Sequence, residues 1–240
     1  MTQSIPPPIT RRKMFRLIAY ILTGIFLIFL LILYLLYLSA QRVPEFYKKS
    51  LGVDPEVQQV RNREMLHKVG DLNNAVQRVG EPWRAVFTAE DVNAYFAVEL
   101  AKEGANFFPK EIIEPRLMFS DRQVDLACQV MRGTFSGTLH LSLGLTLPEP
   151  NRLVIRVKKA KLGKLPISKE IPVKFLENAF KEKSYRVQQG TEAGDPTITV
   201  LFDIEYDNKR SVLLDGITFQ DGRVQISGTT EQSPNNGIDR

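Results

Sequence analysis

The sequence predicts an α+β protein in which an N-terminal transmembrane helix precedes an antiparallel, curved sheet packed with two to three helices. Three observations carry this prediction. Residues 17–40 form an uncharged apolar run, residues 116–162 and 197–228 alternate apolar and polar side chains as strands do, and helical patterns stand between the strand runs. Strands joined by hairpins, with grouped helices, are typical of the α+β class.

The first element is a helix long enough to cross a bilayer. At 1.5 Å per residue, residues 17–38 would form a helix about 33 Å long, against about 30 Å of hydrocarbon. Basic residues precede the run and no acid occurs before Glu45, so residues 1–16 should form a cytoplasmic arm. A cleaved signal peptide is the alternative, but Leu38 stands where its cleavage site needs a small residue. We expect an uncleaved single-pass anchor, residues 17–40, in the cell (inner) membrane, with the C-terminal domain extracytoplasmic.

The formal charge of +5 comes largely from basic residues before the apolar run, which indicate the orientation of that helix in a membrane. Four of the 32 Lys and Arg residues precede the apolar run, which leaves 28 against 27 acids in the rest of the chain. A nucleic-acid surface needs clustered positive charge on the folded part, so we expect no nucleic-acid partner. The single cysteine, Cys128, has no partner for an intrachain disulfide and is expected to be a buried thiol.

Residues 41–84 are expected to form a juxtamembrane connector and a helix. Tyr47 and the two lysines after it fit the level of the lipid headgroups. Asp54 followed by Pro55 is a strong helix start. An apolar stripe then recurs at helical spacing: Met65, Val69, Leu72, Val76, Val79. We expect this stripe to pack on the protein's own sheet, and a short coiled coil is the alternative.

The extracytoplasmic α+β domain is expected over residues 85–230 and contains the best-defined helix start of the chain. Thr88 and Asp91 have the spacing of a capping box, in which each side chain accepts from the backbone of the other. The helix that follows carries an aromatic pair, Tyr95 and Phe96, which either packs in the core or lines a ligand site.

After Pro115 the spacing of the apolar residues changes from the helical period to every second residue, which predicts strands. Leucines at every second position of residues 139–147, the turn LPEPN and the run RLVIRVKKAKL predict an antiparallel hairpin. A helix is expected over residues 168–183, followed by the strands TITVLFDIEY, SVLLDGITF and RVQISG. Residues 231–240 have almost no apolar content and are expected to be a disordered tail.

One short pattern occurs twice, in RLMFSDRQVDLAC and in GITFQDGRVQISG. Phe119, Asp121 and Val124 of the first copy match Phe219, Asp221 and Val224 of the second. Asp221 with Gly222 suits a tight hairpin turn. Generic hairpin chemistry explains both copies, and related sheet edges are the alternative. We expect Asp121 and Asp221 to serve turn geometry and not catalysis.

We expect no enzyme activity, no metal and no cofactor. Neither His67 nor His140 belongs to a metal-spacing motif, and GTFSG at residues 133–137 is not the G-x-S-x-G of a nucleophile elbow. No phosphate-binding loop or dinucleotide fingerprint occurs. A pair of carboxylates for glycoside hydrolysis is a weaker alternative, because such partners meet only in three dimensions.

Two sets of residues are candidates for binding. The alternating apolar residues are either core or the wall of an elongated groove for an acyl chain, with these groove candidates: Tyr95, Phe96, Leu141, Leu143, Leu145. A basic cluster on both faces of one strand and its following loop either protects an edge strand or contacts anionic headgroups: Arg156, Lys158, Lys159, Lys161, Lys164.

The chain has a family resemblance over roughly residues 85–230. It rests on a charge-flanked anchor followed by three segments: FTAEDVNAYFAVEL, AKLGKLPISKEI and ITFQDGRVQISG. The chain resembles the YpmS-like bacterial membrane-anchored proteins and their relatives of the tubular lipid-binding type. Asn93 and the segment 162–166 match the family pattern, whereas the helix beginning at Asp54 does not belong to the match. The resemblance implies a curved sheet around a long helix, with an apolar interior suited to lipid, and carries over no catalytic residue.

The sequence therefore predicts a membrane-anchored module of the cell envelope that binds or shelters an apolar ligand. Membrane lipid is the expected partner. The alternative from another class is an envelope scaffold that binds another envelope protein through its helix stripe or a sheet edge.

Overall fold

The computed structural model describes residues 11–102, 112–133, 135–202, 204–207, 210–220 and 222–232. This part of the chain contains five helices: α1 (Arg11–Ala40), α2 (Glu45–Leu51), α3 (Pro55–Val76), α4 (Ala89–Lys102) and α5 (Glu170–Glu182). The stretch Tyr20–Ala40 of α1, with a mean hydropathy of 2.8, is long and apolar enough to cross a membrane, and no other helix in these residues is. This finding fits a single-pass anchor and also a signal sequence.

The strands form two sheets in which all neighbours are antiparallel. The four-stranded sheet has the order β1-β11-β10-β9: β1 (Pro82–Thr88), β9 (Ile204–Asp207), β10 (Arg210–Gln220), β11 (Arg223–Gln232). The seven-stranded sheet has the order β2-β3-β4-β5-β8-β7, with β6 paired to β5: β2 (Ile112–Ser120), β3 (Gln123–Arg132), β4 (Phe135–Glu149), β5 (Arg152–Leu162), β6 (Leu165–Pro166), β7 (Arg186–Glu192), β8 (Asp195–Leu201). The predicted α+β class is confirmed.

One hydrophobic cluster connects the two sheets. It contains Phe87 of β1 and Val224 of β11 together with Leu141 of β4 and Val157 of β5. Strand alternation places such residues on one face of each sheet. Val173 of α5 belongs to the same cluster, and further residues of α3, α4 and α5 pack against it: Met65, Leu72, Val92, Leu176, Phe180. We call the opposite face of the seven-stranded sheet its outer face.

Asn151, in the turn between β4 and β5, fastens the seven-stranded sheet to β10 of the other sheet. Its backbone N–H donates to the carbonyl oxygen of Leu214 at 2.9 Å, and its side chain accepts from the Leu214 N–H at 2.7 Å. The same amide donates to the carbonyl oxygen of Val212 at 2.9 Å. Asn151 has a φ of +59°, a left-handed conformation that asparagine adopts more readily than most residues. A single turn residue thus helps to set how the two sheets meet.

The observed element bounds refine the predicted ones. The helix expected over residues 168–183 is α5, and α3 ends at Val76, before the predicted stripe does. Within that stripe Met65 and Leu72 pack against the hydrophobic cluster, so α3 packs on the protein's own fold. β11 continues through Gln232, two residues beyond the predicted domain boundary, and residues 1–10 and 233–240 lie outside the described part.

Candidate functional site

An apolar cavity of about 420 Å³ opens between α2, α3, α4 and the edge strand β2. Its walls include the hydrophobic residues Phe46, Val53, Val57, Ala94, Leu117 and Met118. Its polar lining consists of Lys49, Ser50, Gln58, Arg61, Glu90 and Asn93. Val57 is 49% exposed and Met118 is 37% exposed, so apolar side chains border the opening. A concave, mostly apolar recess with a few polar groups is the usual form of a small-ligand site.

The short turn between α2 and α3 sets two walls of the cavity. The N–H of Gly52 donates to the carbonyl oxygen of Lys48 at 3.3 Å and ends α2. Asp54 then caps α3 by accepting from the N–H of Glu56 at 2.8 Å. Because the Asp-Pro start follows so soon after α2, the two helices are held at the same opening.

The remaining walls come from α4 and β2. The predicted capping box is confirmed, since Asp91 N–H donates to Thr88 Oγ1 at 3.1 Å and Thr88 N–H donates to Asp91 Oδ2 at 3.0 Å. Two residues after Asp91, the Asn93 amide donates to the carbonyl oxygen of Leu117 at 2.8 Å and accepts from the Leu117 N–H at 2.7 Å. The side chain therefore pairs with the edge of β2 as a neighbouring strand would. This pairing fixes Leu117 in the cavity wall.

Polar contacts hold α3 against α4. Lys68 Nζ lies 2.5 Å from Asp91 Oδ2, and Asn62 Nδ2 donates to Glu99 Oε1 at 2.6 Å. The Asp91 side chain is fully buried. Burial by itself would raise the pKa of Asp91, but the hydrogen bonds from Lys68 and Thr88 outweigh that effect and lower the pKa below its ordinary value. A charged pair thus secures the position of α3 beside the cavity.

The last residues of α1 dock onto the turn between β5 and β6. The N–H of Lys164 donates to the carbonyl oxygen of Ser39 at 3.0 Å, and Ala40 is buried. Gly163 has a φ of +58°, and a Cβ at this position would collide with the carbonyl oxygens of Ser39 and Ala40. Only glycine permits both the conformation and the close approach. The apolar helix is therefore packed against the folded domain.

Phe46 joins the cavity to this docking region. Its ring lies over the outer face of the seven-stranded sheet, with its centroid 5.6 Å from that of His140. His140 pairs across the sheet with Lys161, two residues before Gly163. The chain itself travels only from Ala40 to Phe46, six residues that span at most about 20 Å. The cavity therefore lies close to the end of the apolar helix.

A buried carboxylate occupies the outer face beside Phe46. Asp125 Oδ1 accepts from Ser142 Oγ at 2.6 Å and lies 3.2 Å from His140 Nε2, while Oδ2 accepts from Gln123 Nε2 at 2.9 Å. Burial opposes the charge, but the hydrogen bonds from His140, Ser142 and Gln123 lower the pKa of Asp125 to about 2.

This cluster lacks the geometry of a catalytic triad. Ser142 donates to the Asp125 carboxylate and not to His140, so the hydroxyl has no base to activate it. Among the described residues, no group of three or more His, Cys, Asp or Glu side chains could hold a metal ion. The arrangement can stabilise the sheet and orient His140 beneath Phe46.

The expectation for Tyr47 is wrong. Instead of lying among headgroups, its side chain is fully buried between α2 and the seven-stranded sheet. Burial, with Glu114 and Cys128 nearby, raises the pKa of Tyr47 to about 12. The aromatic ring anchors α2 to the sheet and leaves Phe46 and Lys49 on the side of the cavity. Cys128 is a buried free thiol, as predicted.

The predicted groove residues do not come together around the cavity. Leu141 and Leu143 are buried in the hydrophobic cluster, and Leu145 is half-buried against it. Tyr95 and Phe96 are half-buried on α4 and follow directly on Ala94, the last residue of that helix in the cavity lining, but they do not line the cavity themselves. Alternating leucines mark core positions here because helices and the second sheet cover them.

The predicted basic cluster lies along β5 and the turn after it. Lys159 and Lys161 pair with Ser142 and His140, which contact Asp125 on the outer face. The aliphatic end of Lys158 lies over Gly144 of β4, whose strand partner is Arg156. Side chains paired across strands share a face, so these basic residues follow one face, whereas the sequence suggested two.

Only part of this basic cluster is neutralised. Arg156 lies 3.8 Å from a carboxylate oxygen of Glu192 and 3.9 Å from one of Asp195. Lys159 and Lys164 are exposed, and Lys164 follows directly on the Gly163 turn that meets α1. The Lys164 end of the basic cluster therefore lies beside the end of the apolar helix.

A comparison of the chain with protein-family models gave no match, and neither did comparisons with curated proteins and with solved structures. The resemblance to the YpmS-like and tubular lipid-binding proteins therefore stays a prediction. The residues that carried it have structural roles: Asn93 binds the edge of β2, and Gly163 receives the end of α1.

The sequence reasoning missed most of the cavity. Phe46, Val53 and Val57 lie in the connector and the first turn of α3, a segment for which the sequence predicted a headgroup contact at Tyr47 and a helix start but no ligand site. Their hydrophobic character was visible in the sequence, since these three apolar residues follow the apolar run at short intervals. Met118 lies in an alternating strand, and the sequence pattern of such a strand does not distinguish an exposed apolar residue from a buried one.

Proposed function

We propose that the protein is a single-pass membrane protein whose folded part binds the acyl chain of a membrane lipid outside the cytoplasm. The observation that carries this proposal is the apolar cavity beside the end of α1. A lipid chain that leaves the outer surface of the bilayer meets hydrophobic walls at that point. Transfer of each methylene from water to such walls is worth about 0.8 kcal/mol.

An uncleaved anchor is part of the proposal. At 1.5 Å per residue the apolar stretch Tyr20–Ala40 is about 31 Å long, close to the thickness of a hydrocarbon core. The basic residues before it favour a cytoplasmic N-terminus and an inner-membrane location. The contacts of Ser39 and Ala40 with Gly163 support retention, because cleavage after the helix would leave a packed surface without its partner.

The basic cluster along β5 supports a position of the folded domain at the membrane surface. Lys164 follows the turn that receives α1, and Lys161 and Lys159 continue along the same strand. A basic side chain near an anionic leaflet contributes about 1 kcal/mol to binding, and the effect fades within a Debye length of about 8 Å. We propose that the residues nearest the turn contact headgroups and that Arg156, paired with two acids, contributes least.

Binding, rather than chemistry, is the proposed activity. The walls of the cavity present hydrocarbon, and two buried carboxylates outside its lining, Asp91 and Asp125, are both occupied by hydrogen bonds within the protein. The cavity polar groups Asn93, Ser50 and Gln58 bind backbone groups of the protein itself. These contacts shape the recess, and the described residues that line it form no assembled pair of nucleophile and base.

The experiment is photolabelling of the full chain in vesicles with a phospholipid that carries a diazirine on its acyl chain. Crosslinked peptides are mapped by mass spectrometry. Labels on Val57, Met118 or Phe46 are expected, in addition to labels on the membrane helix. These residues lie outside the apolar stretch, so labels there report a chain that has entered the cavity.

Two variants of α3 make the result specific. Val57→Trp places an indole in the cavity wall and should abolish the cavity labels. Val60→Trp is the matched control, because Val60 is 47% exposed on the same helix and does not line the cavity. Labels confined to the membrane helix in the wild-type protein would overturn lipid binding, and the envelope scaffold would then account better for the exposed apolar residues of α3.

A further inference from the structure

Three charged side chains line the cavity, and their arrangement indicates which headgroup it accepts. Lys49 of α2 and Arg61 of α3 supply positive charge, and Glu90 in the first turn of α4 supplies negative charge. The three come from different helices around one opening. A purely anionic or purely apolar ligand would leave part of this set unused.

Two of these charges have no ion-pair partner within the described residues. Neither Lys49 nor Glu90 takes part in a salt bridge there, although both border the recess. Arg61 lies 3.1 Å from Glu64, with both side chains close to half exposed. An exposed pair of this kind is worth only about 0–1 kcal/mol, so Arg61 can turn to a ligand at little cost.

Other polar groups of the lining are already engaged. Asn93 is committed to Leu117, Gln58 donates to the carbonyl oxygen of Val53, and Ser50 donates to that of Tyr47. The free recognition groups at the opening are therefore ionic. Guanidinium and ammonium groups suit a phosphate, and a carboxylate suits an ammonium.

On this basis, and resting on the proposed function, we infer that the cavity selects a zwitterionic phospholipid headgroup of the phosphoethanolamine type. Its phosphate lies against Lys49 and Arg61, its ammonium lies against Glu90, and its acyl chain enters between Val57 and Met118. A phosphoglycerol lipid offers the phosphate without a cation for Glu90. A fatty acid offers only a carboxylate.

The test is a competition experiment on the full chain in detergent micelles, in which lipids compete for the cavity. A diazirine-bearing fatty acid serves as the reporter that labels the cavity residues. Two lysophospholipids with the same acyl chain compete with it, one with a phosphoethanolamine headgroup and one with a phosphoglycerol headgroup. The zwitterionic competitor is expected to displace the reporter at about a fivefold lower concentration, the upper range for a partly exposed ion pair.

Glu90→Gln should remove this preference and bring the two half-displacement concentrations together. Lys49→Gln should weaken both competitors by a similar factor, because both carry the phosphate. Equal displacement by the two lipids in the wild-type protein, or an unchanged preference in Glu90→Gln, would overturn the headgroup assignment while lipid binding still stood. A reporter that never labels the cavity would overturn the proposed function as well.

Discussion

The rings of Phe119 and Phe219 pack against each other with their centroids 5.9 Å apart and their planes inclined by 48°. The two residues occupy the same place in the repeated pattern of the sequence. Phe119 pairs with Val124 in the β2–β3 hairpin, and Phe219 pairs with Val224 in the β10–β11 hairpin. The two copies are therefore matching hairpins of different sheets, and they meet through their phenylalanines.

This contact should couple the two sheets energetically. Phe119→Leu and Phe219→Leu each remove one ring, and the double variant should be less destabilised than the sum of the two by about 1 kcal/mol. The measurement is a double-mutant cycle from chemical unfolding of the full chain in detergent. Strict additivity of the two substitutions would mean that the rings touch without contributing to the joint stability of the sheets.

Gly163 should be required for docking of the apolar helix. Gly163→Ala brings a Cβ against the carbonyl oxygens of Ser39 and Ala40, so the end of α1 should separate from the domain. Trypsin cleavage after Arg42, which is exposed just beyond α1, should become about tenfold faster, as expected for about 1.4 kcal/mol of local opening.

Gly194→Ala is the matched control for this docking. Gly194 has a φ of +80° and nothing within 4 Å of its missing Cβ, so alanine there adds backbone strain without a collision. Its trypsin pattern at Arg42 should equal that of the wild-type protein. Equal acceleration by both substitutions would show that general destabilisation, and not loss of docking, exposes the site.

Asp125 should make stability depend on pH in the acid range. Its pKa is about 2 in the folded protein, below the ordinary value, so its stabilising effect is complete above pH 4 and is lost as the pH falls toward 2. Asp125→Asn should lower the free energy of unfolding by about 2 kcal/mol at pH 6 and by much less at pH 2. A difference between the two proteins that does not change with pH would contradict this.

Lys68 should stabilise the packing of α3 on α4 because it compensates the fully buried Asp91. Lys68→Met should cost about 2 kcal/mol in thermal or chemical unfolding and should raise the pKa of Asp91, since burial then acts with less opposition. Arg78→Met is the control, because Arg78 forms an exposed pair with Glu81 at 3.6 Å and should cost less than about 0.5 kcal/mol. Similar costs for the two variants would refute the assignment.

The elements that local chemistry determines were predictable from the sequence. The capping box of Thr88 and Asp91 spans four residues, and the run RLVIRVKKAKL is β5 from its first residue to its last. The division into two sheets was not predictable in this way. It depends on contacts such as those between Asn151 and Leu214, which are 63 residues apart.

The cavity could not be predicted from local sequence patterns either, because it too depends on contacts between residues far apart in the chain. Phe46, Val57, Ala94 and Met118 belong to four elements, and no pattern within one element indicates that they border a common space. Alternation correctly marked Leu141 as a residue with an apolar environment. It could not say whether that environment was a ligand or the protein's own helices and second sheet.

The most direct test of lipid binding is native mass spectrometry of the full chain released from lipid nanodiscs. The wild-type protein and Val60→Trp should each retain a discrete adduct of phospholipid mass, and Val57→Trp should lose it. Because all three share the same apolar helix α1, lipid that merely surrounds that helix contributes equally to each spectrum. The same adducts at the same occupancy in all three proteins would contradict the assignment of the cavity between α2, α3 and α4 as the lipid site.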